Sequence, residues 1–143
     1  MATSYRLKVV TPERVMWDGD VAEIIVRTTE GEIGVLAHHM QIISPLVPHL
    51  MTVYQPNGKT QQMAVSGGFI EVKDDGVTIL ADSAETADMV DVARAQRARD
   101  RALENLNLPT SSVEVDIARA QRALARSENR LKLVGKDVQN LGR

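Results

Sequence analysis

From Val77 to Arg101 the chain reads Val-Thr-Ile-Leu-Ala-Asp-Ser-Ala-Glu-Thr-Ala-Asp-Met-Val-Asp-Val-Ala-Arg-Ala-Gln-Arg-Ala-Arg-Asp-Arg. The two ends of this stretch follow different rules. From Tyr5 to about Leu80 apolar residues recur with a period of two, as in Tyr5, Leu7, Val9 and in Ile24, Val26, which is the spacing of a strand with one buried face. After about Asp82, glycine and β-branched residues thin out and Ala, Arg, Leu, Glu and Gln take over, all good helix formers. The change of period divides the chain into a strand-built part, residues 1–86, and a helical part, residues 87–143.

Towards the N-terminus, turn chemistry falls at short intervals: Thr11-Pro12, Asp18-Gly19, Glu30-Gly31, Pro56-Asn57-Gly58 and Asp74-Asp75-Gly76. Such residues supply the backbone angles of tight hairpin connections. Short strands joined by hairpins predict an antiparallel sandwich or barrel. Towards the C-terminus, Asp88 or Asp91 can cap a first helix running to about Leu106 through Val92, Ala93, Ala95, Ala98 and Ala102. Asn107-Leu-Pro-Thr-Ser-Ser112 breaks it, and Ser111 with Glu114 stands at capping-box spacing for a second helix containing Val115, Ala118, Leu124 and Leu131. Gly135 is the expected stop of that helix. The short connection predicts an antiparallel hairpin. Alanine faces bury little apolar area: a few hundred Å² stabilise by roughly 5–10 kcal/mol before ordering entropy largely offsets it. The hairpin is therefore marginal alone.

A chain of 143 residues suits one ordinary domain, or a small domain with an appendage. No apolar run reaches the roughly 18–20 residues of a membrane span, and Met1-Ala-Thr-Ser-Tyr-Arg6 lacks the apolar segment of a secretory signal; the expectation is a soluble, cytosolic protein. Zero cysteines exclude disulfides, thiolate metal sites and cysteine nucleophiles. Net charge is −2 but unevenly spread: residues 1–90 carry 6 Lys/Arg against 12 Asp/Glu, and residues 91–143 carry 11 against 7. The two parts are built for different work.

The chemistry-bearing candidates are few. His38 and His39 are adjacent, and the third histidine, His49, shares no metal-ligand spacing with them; a turn or strand-edge pair is expected, and no metal site. Ser44 and Ser66 lack a nucleophile-elbow context. Ser66-Gly67-Gly68-Phe69 is followed by a strand pattern and by no Gly-Lys-Ser/Thr, so it reads as a sharp strand entry and not a phosphate loop. No catalytic residue is assigned and no enzymatic activity is expected. The arginines are more specific: Arg94, Arg97 and Arg101, and Arg119, Arg122, Arg126 and Arg130, recur at three- and four-residue helical spacings. The aromatic residues Tyr5, Trp17, Tyr54 and Phe69 all lie outside the helices, which argues against nucleic acid and leaves an anionic ligand or an acidic protein surface.

Val10-Thr-Pro12, the corner Gly31-Glu-Ile-Gly-Val-Leu36 with His39, and Ala64-Val-Ser-Gly-Gly-Phe-Ile-Glu-Val72 continuing to Val77–Ala81 and Ala84-Glu85 together resemble, nearly end to end, the epsilon subunits of bacterial F-type ATP synthases. Where that family commonly has Leu-Pro-Gly-His, this chain has Leu36-Ala37-His38-His39, so His38 stands at a glycine position. The resemblance implies a β-sandwich of about ten strands followed by two antiparallel helices. It implies a non-catalytic central-stalk subunit, peripheral on the cytoplasmic face of the bacterial plasma membrane, that takes part in ATP synthesis and in ion transport, of hydrogen ions or of sodium ions. Its partners would be the gamma subunit and c-ring through the sandwich, and the alpha/beta catalytic head through the helices, which extend to inhibit ATP hydrolysis. Arg119, Arg122, Arg126, Arg130 and Lys132 would make that inhibitory contact.

Some family members bind ATP through Ile or Leu followed by Asp-x-x-Arg-Ala; this chain has Val90-Asp91-Val92-Ala93-Arg94-Ala95. Glu85, Arg101, Arg126 and Arg130 also fall at positions of that pattern. The resemblance thus implies ATP as a regulatory ligand, with no cofactor required, bound by Glu85, Asp91, Arg94, Ala95, Arg101, Arg126 and Arg130. A free-standing ATP-sensing module using the same hairpin is the alternative.

Overall fold

The computed structural model describes residues 3–107 and 114–141, with side chains over 3–106 and 117–135. Two compact units meet at the Thr86/Ala87 bond, Met1–Thr86 and Ala87–Arg143. The first is built from β1 (Tyr5–Val10), β2 (Val15–Val21), β3 (Glu23–Thr28), β4 (Gly31–Leu36), β5 (Ile42–Tyr54), β6 (Thr60–Lys73), β7 (Gly76–Ala81) and β8 (Ala84–Glu85). They form one hydrogen-bonded sheet in the order β2-β1-β7-β6-β5-β3-β4, with β8 added on β6.

The sheet becomes a sandwich because β5 and β6 each serve two layers. In β6 the large buried side chains are Met63 and Val65, then Ile70 and Val72; in β5 the buried residues are Leu46, then His49, Met51 and Val53. Both strands change parity where Leu46 pairs with Gly68, so the inner face stays inner as the sheet turns over. Gly67 and Gly68 make this corner with φ of 105° and 116°, angles that side chains resist. On one side of it β6 pairs with β7, on the other with β8. Leu7, Val9, Val21, Ile24, Val26, Met51, Met63, Ile70 and Ile79 fill the core between the layers.

Among the described residues the strands number eight rather than about ten, because β5 and β6, at 13 and 14 residues, run unbroken through the corner. Ser66-Gly67-Gly68 accordingly lies inside β6 and not at a strand entry. β1 pairs with β7 in parallel, the exception in an otherwise antiparallel ladder. Asp18-Gly19 is no turn: both residues sit in β2, Gly19 opposite Leu7. Asp18 is used across the ladder instead, its Oδ1 accepting from Arg6 Nε at 2.8 Å. The other turns fall as expected, with positive φ at Gly31, Gly58 and Gly76.

His49 is a buried polar residue of this unit, 9% exposed on β5. Its Nδ1 donates to the Val47 carbonyl at 2.6 Å. Burial lowers its pKa below 6.5, and the Arg27 charge acts in the same direction, while the Val47 bond and Glu32 oppose. The unfolded chain therefore binds the proton more readily than the folded one. Stability referable to His49 is complete above about pH 6.5 and declines as pH falls from there towards the lower folded pKa, by at most about 1.4 kcal/mol per pH unit. Denaturation midpoints between pH 5 and 8 should show this slope in the native chain and a shallower one in His49→Gln; equal slopes would remove His49 from the account.

The second unit holds a 3-10 turn (Ala87–Met89), α1 (Val92–Asn107) and α2 (Glu114–Leu141), which pack together. Asp91 caps α1, its Oδ1 accepting from the Arg94 N–H at 3.0 Å. The packed face is small: Ala95, Ala102, Ala120 and Ser127 are buried, with Leu133 the large buried side chain. Ser127 satisfies its hydroxyl by donating to the Ala123 carbonyl at 2.8 Å. Gly135 does not end α2, which continues to Leu141. One interior glycine costs about 1 kcal/mol relative to alanine, too little to stop a helix of 28 residues. Ser111 and the side chains of Glu114 and Val115 lie outside the described set. No helix among the described residues is long and apolar enough to cross a membrane.

Candidate functional site

Of the seven residues assigned to a nucleotide, Glu85 is on β8 in the first unit and the rest are in the second. Asp91 precedes α1, while Arg94, Ala95 and Arg101 ride on α1 and Arg126 and Arg130 on α2. Ala95 is 3% exposed and belongs to the helix seam. Arg94 and Arg101 are exposed, Arg126 and Arg130 half-buried. Helix packing thus brings both arginine series onto one helical pair. Asp91 is already engaged as a cap, which leaves its second carboxylate oxygen for any other contact.

Among the described residues of this unit, Arg99 forms an ion pair with Asp100 at 3.7 Å. Arg94, Arg97, Arg101, Arg119, Arg122 and Arg126 form no ion pair with a described carboxylate. Spacing alone predicts Arg–Glu and Arg–Asp pairs as readily as free guanidinium groups, because i, i+3 and i, i+4 neighbours of either sign reach one another.

The histidine pair occupies a turn after β4. His38 has φ of 66°, the left-handed angle expected of a residue standing in a glycine's place. The His39 N–H donates to the Leu36 carbonyl at 3.2 Å, and its Nδ1 donates to the Met40 carbonyl at 2.7 Å. Tyr5 ties β1 to this end by donating its hydroxyl to the Val35 carbonyl at 2.6 Å, and burial raises its pKa. A hollow of about 230 Å³ lies here, lined in part by Tyr5, His38, His39, Lys73 and Asp74. Among the described residues no three metal-ligating side chains converge. The Ser66 hydroxyl is hydrogen-bonded to the Ser83 hydroxyl, a structural tie across the corner.

Sequence reading passed over an exposed apolar surface. Ile43, Phe69 and Leu80 are 74%, 53% and 56% exposed. Phe69 pairs with Leu80 on one side and with exposed Pro45 on the other, forming an outward apolar band on β5, β6 and β7. The signal was present: Phe69 and Leu80 alternate with the buried Ile70 and Ile79, so both faces of these strands are apolar.

The family model described as "ATP synthase, Delta/Epsilon chain, beta-sandwich domain" matches residues 4–87, and "ATP synthase, Delta/Epsilon chain, long alpha-helix domain" matches residues 88–135. The ATP synthase epsilon chain of Alkalihalophilus pseudofirmus is 46% identical over 134 residues, covering 94% of this chain and 99% of that protein. The epsilon chain of Bacillus subtilis is 44% identical over 131 residues, covering 92% and 97%. Among solved structures, a chain of the Euglena gracilis mitochondrial ATP synthase, in an assembly of OSCP, F1 and c-ring, aligns with a TM-score of 0.77 at 29% identity over 90% of this chain and 79% of that one. A chain from the central stalk and c-ring of the Tetrahymena thermophila enzyme shares the fold, with a TM-score of 0.61 at 12% identity. A sheet folded at Gly67–Gly68, a helical pair that follows it, and matches spanning both place this chain among the ATP synthase epsilon chains.

Proposed function

We propose that this non-catalytic epsilon chain joins the rotor through its sandwich, seated between the gamma subunit and the c-ring, and regulates ATP hydrolysis through its helices. The peripheral position on the cytoplasmic membrane face, and the part in ion transport, follow from that seat. The apolar band of Ile43, Pro45, Phe69 and Leu80 supports a docking role, because exposed apolar clusters on a small domain mark interaction surfaces. In the regulatory cycle, Arg119, Arg122, Arg126, Arg130 and Lys132 face an acidic segment of the alpha/beta head when the helices extend. ATP holds the helices in their compact, non-inhibitory arrangement, bound by Asp91, Arg94, Ala95, Arg101, Arg126 and Arg130.

The observation that carries the regulatory reading is the set of arginines on α1 and α2 without a described ion-pair partner. Packed helices bring these like charges together, which favours separation unless an anion lies among them. A ligand of the compact state alone stabilises it by RT ln(1 + [ATP]/Kd), about 2.7 kcal/mol at a hundredfold excess, enough to govern a marginal helix pair.

Calorimetric titration of the full chain with ATP tests this. Saturable binding at millimolar or lower concentration is expected. Arg126→Ala should weaken it about 10- to 100-fold, the worth of a charged hydrogen-bonding group at roughly 1.5–3 kcal/mol. Asp91→Asn preserves a capping side chain and Asp91→Ala does not. Affinity lost in both implies a carboxylate contact with the nucleotide, whereas affinity lost only in Asp91→Ala traces to the cap. Absence of saturable binding by the native chain would overturn the ATP reading and leave the rotor role.

A further inference from the structure

Among the described side chains of α1, from Val92 to Leu106, those withdrawn from solvent are Ala95, Ala98, Arg99, Ala102 and Leu106. At about 100° per residue they fall within about 100° of arc, one narrow stripe, and α2 packs against α1. Arg99 is the charged member of that stripe. We infer that Arg99 is a release element, which weakens the seam between α1 and α2 and so sets how readily the two helices separate. The inference rests on the reading above that the helices leave their packed arrangement to regulate hydrolysis.

Arg99 lies between the buried Ala95 and Ala102, at the i+4 and i−3 spacings that keep side chains on one helix face. Its side chain is 40% exposed, yet its Nε is buried with no hydrogen-bond partner among the described residues. The stem therefore follows the seam while the end of the guanidinium reaches water. There one terminal nitrogen stands 3.7 Å from Asp100 Oδ1. This contact offsets little: it is longer than a hydrogen bond, and Asp100 is itself 66% exposed.

A buried N–H without an acceptor has lost its hydration and gained no bond in exchange. Separating the helices returns water to it, so opening is favoured at this position. The rest of the seam opposes opening weakly, because alanines bury little apolar area. A polar residue in a helix seam can also fix the register of two helices. Arg99 has no partner across the seam among the described residues, so its effect here is on stability.

The test is amide exchange on the full chain without nucleotide, in the native protein, Arg99→Met and Arg97→Met. Methionine keeps a long flexible stem, removes the buried N–H and is as good a helix former as arginine. The N–H groups of Ala95, Ala102 and Ala120 should exchange about 5- to 10-fold more slowly in Arg99→Met than in the native chain. Arg97 is exposed on the same helix, so Arg97→Met removes the same charge outside the seam and should alter exchange less than about twofold. No slowing in Arg99→Met would overturn the inference. Equal slowing in both variants would overturn it too, by assigning the effect to net charge. ATP hydrolysis by assembled complexes separates this inference from the regulatory reading. With exchange slowed, Arg99→Met complexes should hydrolyse ATP faster than native ones. Unaltered hydrolysis would overturn regulation by helix separation and leave the effect of Arg99 on the seam standing.

Discussion

Gly68→Ala should destabilise the sandwich by more than about 3 kcal/mol. A Cβ at this position would stand 2.0 Å from the Leu80 carbonyl oxygen and 2.8 Å from the Ala81 Cα. Both are backbone atoms of the neighbouring strand, so no rotamer change relieves the overlap; β6 and β7 must move apart at the corner. The φ of 116° adds strain of its own. Gly31→Ala is the control, because Gly31 has φ of 127° with nothing within 4 Å of the added Cβ. It therefore reports the backbone strain alone. Gly67→Ala is intermediate, since its closest neighbour is the side-chain Oδ2 of Asp82 at 3.0 Å. Thermal melts should rank Gly31, Gly67, Gly68 in increasing loss, at roughly 4–8 °C per kcal/mol for a domain of this size. A Gly68→Ala loss no larger than that of Gly31→Ala would mean the corner yields and does not hold the layers in place.

Ending the chain after Thr86 should remove regulation entirely while leaving a folded protein. Every strand pair of the sheet closes between Tyr5 and Glu85, and the sandwich core lies wholly in that span. The fragment should unfold cooperatively, retain its β-sheet circular dichroism and assemble with the remaining subunits. Complexes carrying it should hydrolyse ATP several-fold faster than complexes with the full chain and show no inhibition dependent on the helices. An unfolded fragment would move the domain boundary. A folded fragment whose complex hydrolyses ATP at the unaltered rate would remove the helices from the inhibitory mechanism proposed above.

Much of the fold could be read from period and turn chemistry, and the reasons for the rest are local. The strand-to-helix change after Asp82 was plain because propensity and hydrophobic spacing change together there. Asp18-Gly19 misled because glycine and aspartate mark turns only when the surrounding ladder leaves them free; here Arg6 holds Asp18 across the strands. The continuity of β5 and β6 was hidden because a parity change at a glycine corner looks, in one dimension, like the end of a strand. Gly135 misled because a stop signal competes with the turns on either side, and α2 passes it. Resemblance nominated the nucleotide residues, and charge spacing exposed the arginine rows. Whether those arginines pair with carboxylates is a matter of rotamers and helix phase that spacing cannot fix.

The folding-over of β5 and β6 also has a consequence for how the sandwich opens. Because both strands run through the corner, one hydrogen-bonded ladder of 12 paired positions links the two layers. Neither layer can peel away as a separate foldon without breaking that ladder. Native-state amide exchange should therefore find the N–H groups of Val53 and Met63 on one side of the corner, and of Ile70 and Val72 on the other, exchanging through a single opening at the global free energy.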